Sequence, residues 1–74
     1  MRSPLRIGVV GTGLLGTRLG GQVNRAPDAD LVAIAEISTE TRTTAGEALA
    51  VPESARYAEY GTMLGEADLD AVII

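Results

Sequence analysis

The run Leu5-Arg6-Ile7-Gly8-Val9-Val10 is β-branched and almost continuously apolar, which fits a strand buried on both faces in a parallel sheet better than one with a wet face. A glycine cluster follows at once. From Leu14 to about Asn24 the apolar positions shift to helical spacing, with Leu15, Leu19 and Val23 recurring every fourth residue on one predicted face, and Ala26-Pro27-Asp28 ends the run. Leu31 to Ala35 reads as a second short apolar strand, with Glu36 at its C-terminal end. Strand, helix and strand together occupy about thirty residues, the size of a parallel crossover unit.

Ser38 or Thr39 can cap a second helix that runs to about Ala50, presenting either Thr44, Ala48 and Val51 or Ala45, Ala48 and Leu49 to the sheet, before Pro52. Ala55 to Ala58 reads as a short third strand, its edge covered by Tyr57 and Tyr60. Glu59 to Gly65 reads as one or two turns of helix that send Met63 and Leu64 into the core. Asp70 then leads into the apolar strand Ala71-Val72-Ile73-Ile74. Gly20 and Gly21 interrupt this pattern inside the first helix, where each costs about 1 kcal/mol relative to Ala. Either the helix crosses a neighbour very closely there or its second half is frayed.

Seventy-four residues hold at most one domain. A chain that stops inside an apolar strand reads as the opening segment of a longer protein. The composition, 46% hydrophobic and 22% charged, is that of a folded chain. Its net charge is -4, and its six basic residues are scattered Arg without any Lys, so no basic stripe exists for a nucleic-acid backbone. Arg18, Arg25, Arg42 and Arg56 read as solvated surface groups. The absence of Cys and His rules out a disulfide framework, a zinc-finger ligand set, a thiolate nucleophile and a Ser-His-Asp triad within this stretch. No metal site is read. Met1 to Arg6 is too short to hold a secretory signal, and no apolar run approaches the roughly 20 residues of a membrane span. The cytoplasm is therefore the expected compartment.

Chemistry enters with Gly11-Thr12-Gly13-Leu14-Leu15-Gly16, a G-x-G-x-x-G placed directly after a predicted strand and opening a predicted helix. Gly11 would permit the tight turn, Gly13 would let a pyrophosphate approach the backbone, and Gly16 would let the helix pack closely. The backbone N–H groups from Gly13 to Leu15 would point toward the anion, so Leu14 and Leu15 need no polar side chain to contribute. Glu36, twenty residues beyond Gly16, stands where a carboxylate accepts the ribose hydroxyls of the adenosine moiety. Taken singly it would read equally well as a solvated acid, and the glycine context decides. Its charge repels a 2'-phosphate and so favours NAD over NADP. Arg42 is the one nearby cation able to answer such a phosphate, and it lies inside the second helix. The expected architecture is thus α/β, the first half of a Rossmann-type parallel sheet with flanking helices.

The runs RIGVVGTGLLG, ADLVAIAEIS and YAEYGTMLGEADLDAVII together resemble the N-terminal nucleotide-binding portion of the Gfo/Idh/MocA family of oxidoreductases, over essentially the whole chain. The resemblance implies that residues 1–74 are the first part of a dinucleotide-binding domain, with the rest of it and a C-terminal α/β substrate domain beyond. It implies an NAD(P)-dependent dehydrogenase that moves hydride between the cofactor and a sugar, cyclitol or related hydroxy substrate. It also implies a full-length chain that forms homo-oligomers, and a catalytic Lys, Asp and His outside these residues. Carried over by position, Gly11, Thr12, Gly13, Leu14, Leu15 and Gly16 form the cofactor loop and Glu36 is the ribose acid. Where the family often has a basic residue after that acid this chain has Ile37, and it lacks the His often found near Leu19. The alternatives are an amino-acid dehydrogenase of the homoserine or aspartate type, and a dinucleotide-sensing regulatory protein without turnover.

Overall fold

The computed structural model describes residues 4–74, so Met1–Ser3 of the segment weighed as a leader lie outside the described residues. The elements follow in the order β1 (Leu5–Val10), α1 (Leu14–Arg25), β2 (Ala29–Ala35), α2 (Thr39–Ala48), a 3-10 turn (Glu53–Ala55), β3 (Arg56–Tyr57), α3 (Tyr60–Glu66) and β4 (Ala71–Ile73). The four strands form one parallel sheet in the order β3-β2-β1-β4. This is the Rossmann-type arrangement expected from the sequence, with the strand order reversing direction between β1 and β4.

Strand alternation divides the core between the two faces of the sheet. Val9 and Ile34 point to one face and pack with Ala45, Leu49 and Val51, while Ala33 and Ala35 point to the other and pack with Met63. Ile7, Gly8 and Val9 are all buried, as a central strand covered on both faces requires. Gly8 is needed because a Cβ there would lie 2.8 Å from Leu69 Cδ1 and 3.1 Å from Met63 Cε. At the opposite end, Asp70 closes β4 onto β1: its N–H donates to the Arg6 carbonyl at 2.7 Å, and its carboxylate accepts from the Arg6 N–H at 2.8 Å.

Of the expected Leu15, Leu19 and Val23 stripe on α1, Leu19 and Val23 are half-buried. Leu15 is 69% exposed, and the residue that reaches the core is Gly20. A Cβ at Gly20 would lie 2.9 Å from Leu49 Cδ1, whereas one at Gly21 would meet only Arg25 Nη1 at 3.7 Å. Close crossing, not fraying, therefore explains Gly20, and the helix continues to Arg25. Here α1 lies close over the sheet, with Leu31 of β2 and Leu49 at the end of α2 against Gly20.

In α2, Ala45, Gly46 and Leu49 are buried, whereas Thr44 and Ala48 are exposed. The helix stops at Ala48, two residues before the expected end, because Ala50 adopts φ 58°. The Ala50 N–H then donates to the Glu47 carbonyl and the Val51 N–H to the Gly46 carbonyl, a Schellman closure with Ala where Gly is usual. The third strand is shorter than expected. Pro52 starts a 3-10 turn that takes up Ala55, which leaves only Arg56 and Tyr57 paired with Ile34 and Ala35. Met63 is fully buried as expected, but Leu64 is half-exposed.

Candidate functional site

The glycine motif forms the turn from β1 into α1, and each of its glycines meets a different constraint. Gly11 has φ +82°, in the region that favours glycine, and its N–H donates to the Ala35 carbonyl at 2.8 Å. Gly13 is the residue preceding the first helical turn, and a Cβ there would find nothing within 4 Å. A Cβ at Gly16 would run into the Gly11 carbonyl oxygen. Tight turn, open face and close packing thus fall to the three positions as their spacing suggests.

Thr17 N–H makes the first bond of α1, to the Gly13 carbonyl at 2.9 Å, so the N–H groups of Leu14, Leu15 and Gly16 have no carbonyl partner within the helix. The first turn itself carries no acidic residue to answer its free N–H groups. Leu14 is 84% exposed. Only the backbone of this turn is therefore suited to hold an anion.

Thr12 lies beneath the turn, 2% exposed. Its N–H donates to Glu36 Oε1 at 2.8 Å, and its carbonyl accepts from Thr17 Oγ1 at 3.0 Å. Its amide is already committed and differs in this from those of Leu14 and Leu15. Glu36 follows β2 directly, and its other oxygen, Oε2, accepts from the Ser38 N–H at 2.9 Å. The Ser38 and Thr12 amides hold its carboxyl below the ordinary value of 4.5, against a smaller upward push from burial. Glu36 is thus a carboxylate fixed in place and charged at neutral pH.

Two clefts meet at Gly11 above the C-terminal ends of the strands. One, of about 610 Å³, runs from Gly11 past Glu36 and Ile37 to Ala58, Tyr60 and Gly61. The other, of about 380 Å³, runs past Gly13 and Leu14 to Ile73 and Ile74, between β1 and β4 where the strand order reverses. Ligands of open α/β sheets bind in that crevice. Tyr60 is an exposed wall of the larger cleft and not a cover for the β3 edge, while Tyr57, within β3, packs against the Ala33, Ala35 and Met63 cluster.

Two arginines read as solvated are tethered instead. Arg42 Nη1 donates to the Glu36 carbonyl at 2.7 Å, and Arg56 Nε to the Val51 carbonyl at 2.9 Å. Arg42 reaches Glu36 because α2 turns back over the end of β2. The six-residue separation in sequence gives no sign of this contact, and the acceptor is a main-chain carbonyl that no residue pattern reveals.

No curated protein matches the chain. Solved structures match almost all of it. Myo-inositol 2-dehydrogenase from Lactobacillus plantarum is 30% identical, with a TM-score of 0.82 over 95% of this chain and 20% of that one. Scyllo-inositol dehydrogenase from Lactobacillus casei, with bound NAD(H) and scyllo-inositol, is 28% identical, with a TM-score of 0.83 over 95% of this chain and 20% of that one. The WlbA dehydrogenase from Bordetella pertussis, in complex with NADH and UDP-GlcNAcA, shares the fold at 24% identity, with a TM-score of 0.81 over 93% of this chain and 20% of that one. The chain therefore spans about one fifth of the length of these proteins. The model of the Gfo/Idh/MocA oxidoreductase family, described as an NAD-binding Rossmann fold, matches residues 5–74. With the turn, the acid and the parallel sheet all in place along that stretch, the chain belongs to the Gfo/Idh/MocA family of oxidoreductases.

Proposed function

We propose that this chain is the cofactor-binding N-terminal part of an NAD-dependent dehydrogenase that acts on a sugar, cyclitol or related hydroxy compound. The observation that carries the reading is the open face of Gly13, where no atom lies within 4 Å of a Cβ position, in the smaller of two clefts that meet at Gly11. A dinucleotide has this shape, with two nucleosides joined by a pyrophosphate. The residues fit the group: the first-turn N–H groups of α1 face the pyrophosphate, Glu36 accepts the ribose hydroxyls, and Ile73 and Ile74 wall off the nicotinamide side. When bound, NAD supplies the hydride-accepting carbon, and this chain supplies cradle, orientation and electrostatics.

The fixed negative charge of Glu36 stands where a 2'-phosphate would enter, and Arg42, the nearest cation on α2, is engaged with the Glu36 carbonyl. Both features favour NAD over NADP. The inositols named for two of the similar structures support the substrate class. In this reading residues 1–74 begin a Rossmann domain, a substrate domain follows, and the full-length protein is a cytoplasmic homo-oligomer. Among the described residues no helix is long and apolar enough to cross a membrane.

Calorimetric titration of the full-length protein with NADH and NADPH tests the reading. Tight NADH binding with much weaker NADPH binding is expected, followed by turnover of a polyol or sugar. Folded protein that binds neither nucleotide refutes it.

A further inference from the structure

Glu36 makes more bonds than a ribose ligand needs. Oε1 takes the Thr12 N–H at 2.8 Å and lies 3.5 Å from Thr12 Oγ1, while Oε2 takes the Ser38 N–H at 2.9 Å. The carboxylate therefore ties the glycine turn, 24 residues earlier in the chain, to the start of α2. The turn has few other anchors. Gly11 N–H holds the Ala35 carbonyl, and Thr17 Oγ1 holds the Thr12 carbonyl. Each carboxylate oxygen offers about two acceptor directions, and Glu36 lines the larger cleft. Oε2 keeps one direction for a ligand, whereas on Oε1 a ligand would displace the long contact from the Thr12 hydroxyl.

We propose that Glu36 is a positioning residue for the phosphate-binding turn, holding Thr12 and Ser38 in place before any nucleotide arrives, in addition to facing the ribose. The inference rests on the dinucleotide reading above for its functional meaning. It makes the two halves of the site interdependent: a change at the adenosine end alters how well the turn holds a phosphate that Glu36 never touches.

Glu36→Gln and Glu36→Asp separate this role from ribose binding alone. The amide of Gln has one acceptor oxygen and an NH2 that opposes the second backbone donor. Asp keeps the carboxylate and can still reach the N–H two residues on, the bond that Asp makes readily in turns, but it is one methylene too short to hold Thr12 as well. Amide exchange in the nucleotide-free, full-length protein should show one of Thr12 and Ser38 losing protection in Glu36→Gln, whichever the NH2 opposes, and Thr12 losing it in Glu36→Asp. Core amides of β1 and β2 should be unchanged.

The second probe is reduced nicotinamide mononucleotide, which has a phosphate but no adenosine ribose. Its affinity should fall about tenfold in both variants, the size of one lost charge-assisted hydrogen bond. A ribose-only role predicts wild-type protection at both amides and unchanged or tighter mononucleotide binding, since Gln removes a negative charge, and either result overturns the proposal. Glu36→Asp keeps the test decisive if Glu36→Gln does not fold. Wild-type protein that binds no nucleotide refutes the dinucleotide reading, while the exchange measurement still decides the clamp.

Discussion

A side chain at Gly13 projects into open space, whereas one at Gly16 collides with the Gly11 carbonyl. Substitution should therefore separate ligand space from packing. In the full-length protein, Gly13→Val is expected to leave the melting temperature nearly unchanged and to weaken NADH binding at least about tenfold by filling the pyrophosphate path. Gly16→Ala should instead destabilise by about 1–3 kcal/mol, the usual range for overpacking, visible as a lower denaturant midpoint. Glu36 supplies a pH signature at the same scale. Its carboxyl lies below 4.5 in the folded state because of the Ser38 and Thr12 amides, so the folded state binds its proton less readily than the unfolded state does. Its contribution to stability is complete above about pH 4.5 and is lost as the pH falls through the lower folded value. Unfolding free energy measured from pH 6 downward should fall less steeply in Glu36→Gln than in the parent.

At the scale of elements, α1 is held by what its glycines lack. Gly21→Ala should stabilise by about 0.5–1 kcal/mol through helix propensity, because only Arg25 lies nearby. Gly20→Ala drives a methyl against Leu49 and should lower stability despite the same gain in propensity, a contrast readable in paired urea melts. This pair also marks where the sequence was legible. The apolar spacing located β1, α1 and β2 to within two residues, and the G-x-G-x-x-G marked the turn between β1 and α1 to which Glu36 is bonded. Period alone set the buried face of α1 too far toward Leu15 and missed Gly20, because glycine contributes no hydrophobic signal to a helix wheel even when it makes the closest contact. The end of α2 was hidden for a related reason: Ala50 takes the left-handed conformation that sequence rules reserve for Gly or Asn. Arg42 and Arg56 were misread because their acceptors are backbone carbonyls.

For the whole molecule, stability is divided between two small cores on opposite faces of one sheet. The α3 face is centred on Met63, its one large fully buried side chain, packed against Ala33 and Ala35 and over Gly8, with Val10, Tyr57 and Leu69 around it. Met63→Ala should cost about 2–5 kcal/mol, a large share of what a domain of this size possesses, and thermal unfolding of the variant will measure it. The sheet order has a further consequence, for biosynthesis. Every wall of the larger cleft is complete once Gly61 has been made, while the smaller one waits for Ile73 and Ile74, whose strand pairs with β1 across more than sixty residues of chain. The walls of the larger cleft therefore leave the ribosome ahead of the strand that closes the smaller one, and in the proposed reading the order of translation becomes an order of emergence for the two ends of one ligand.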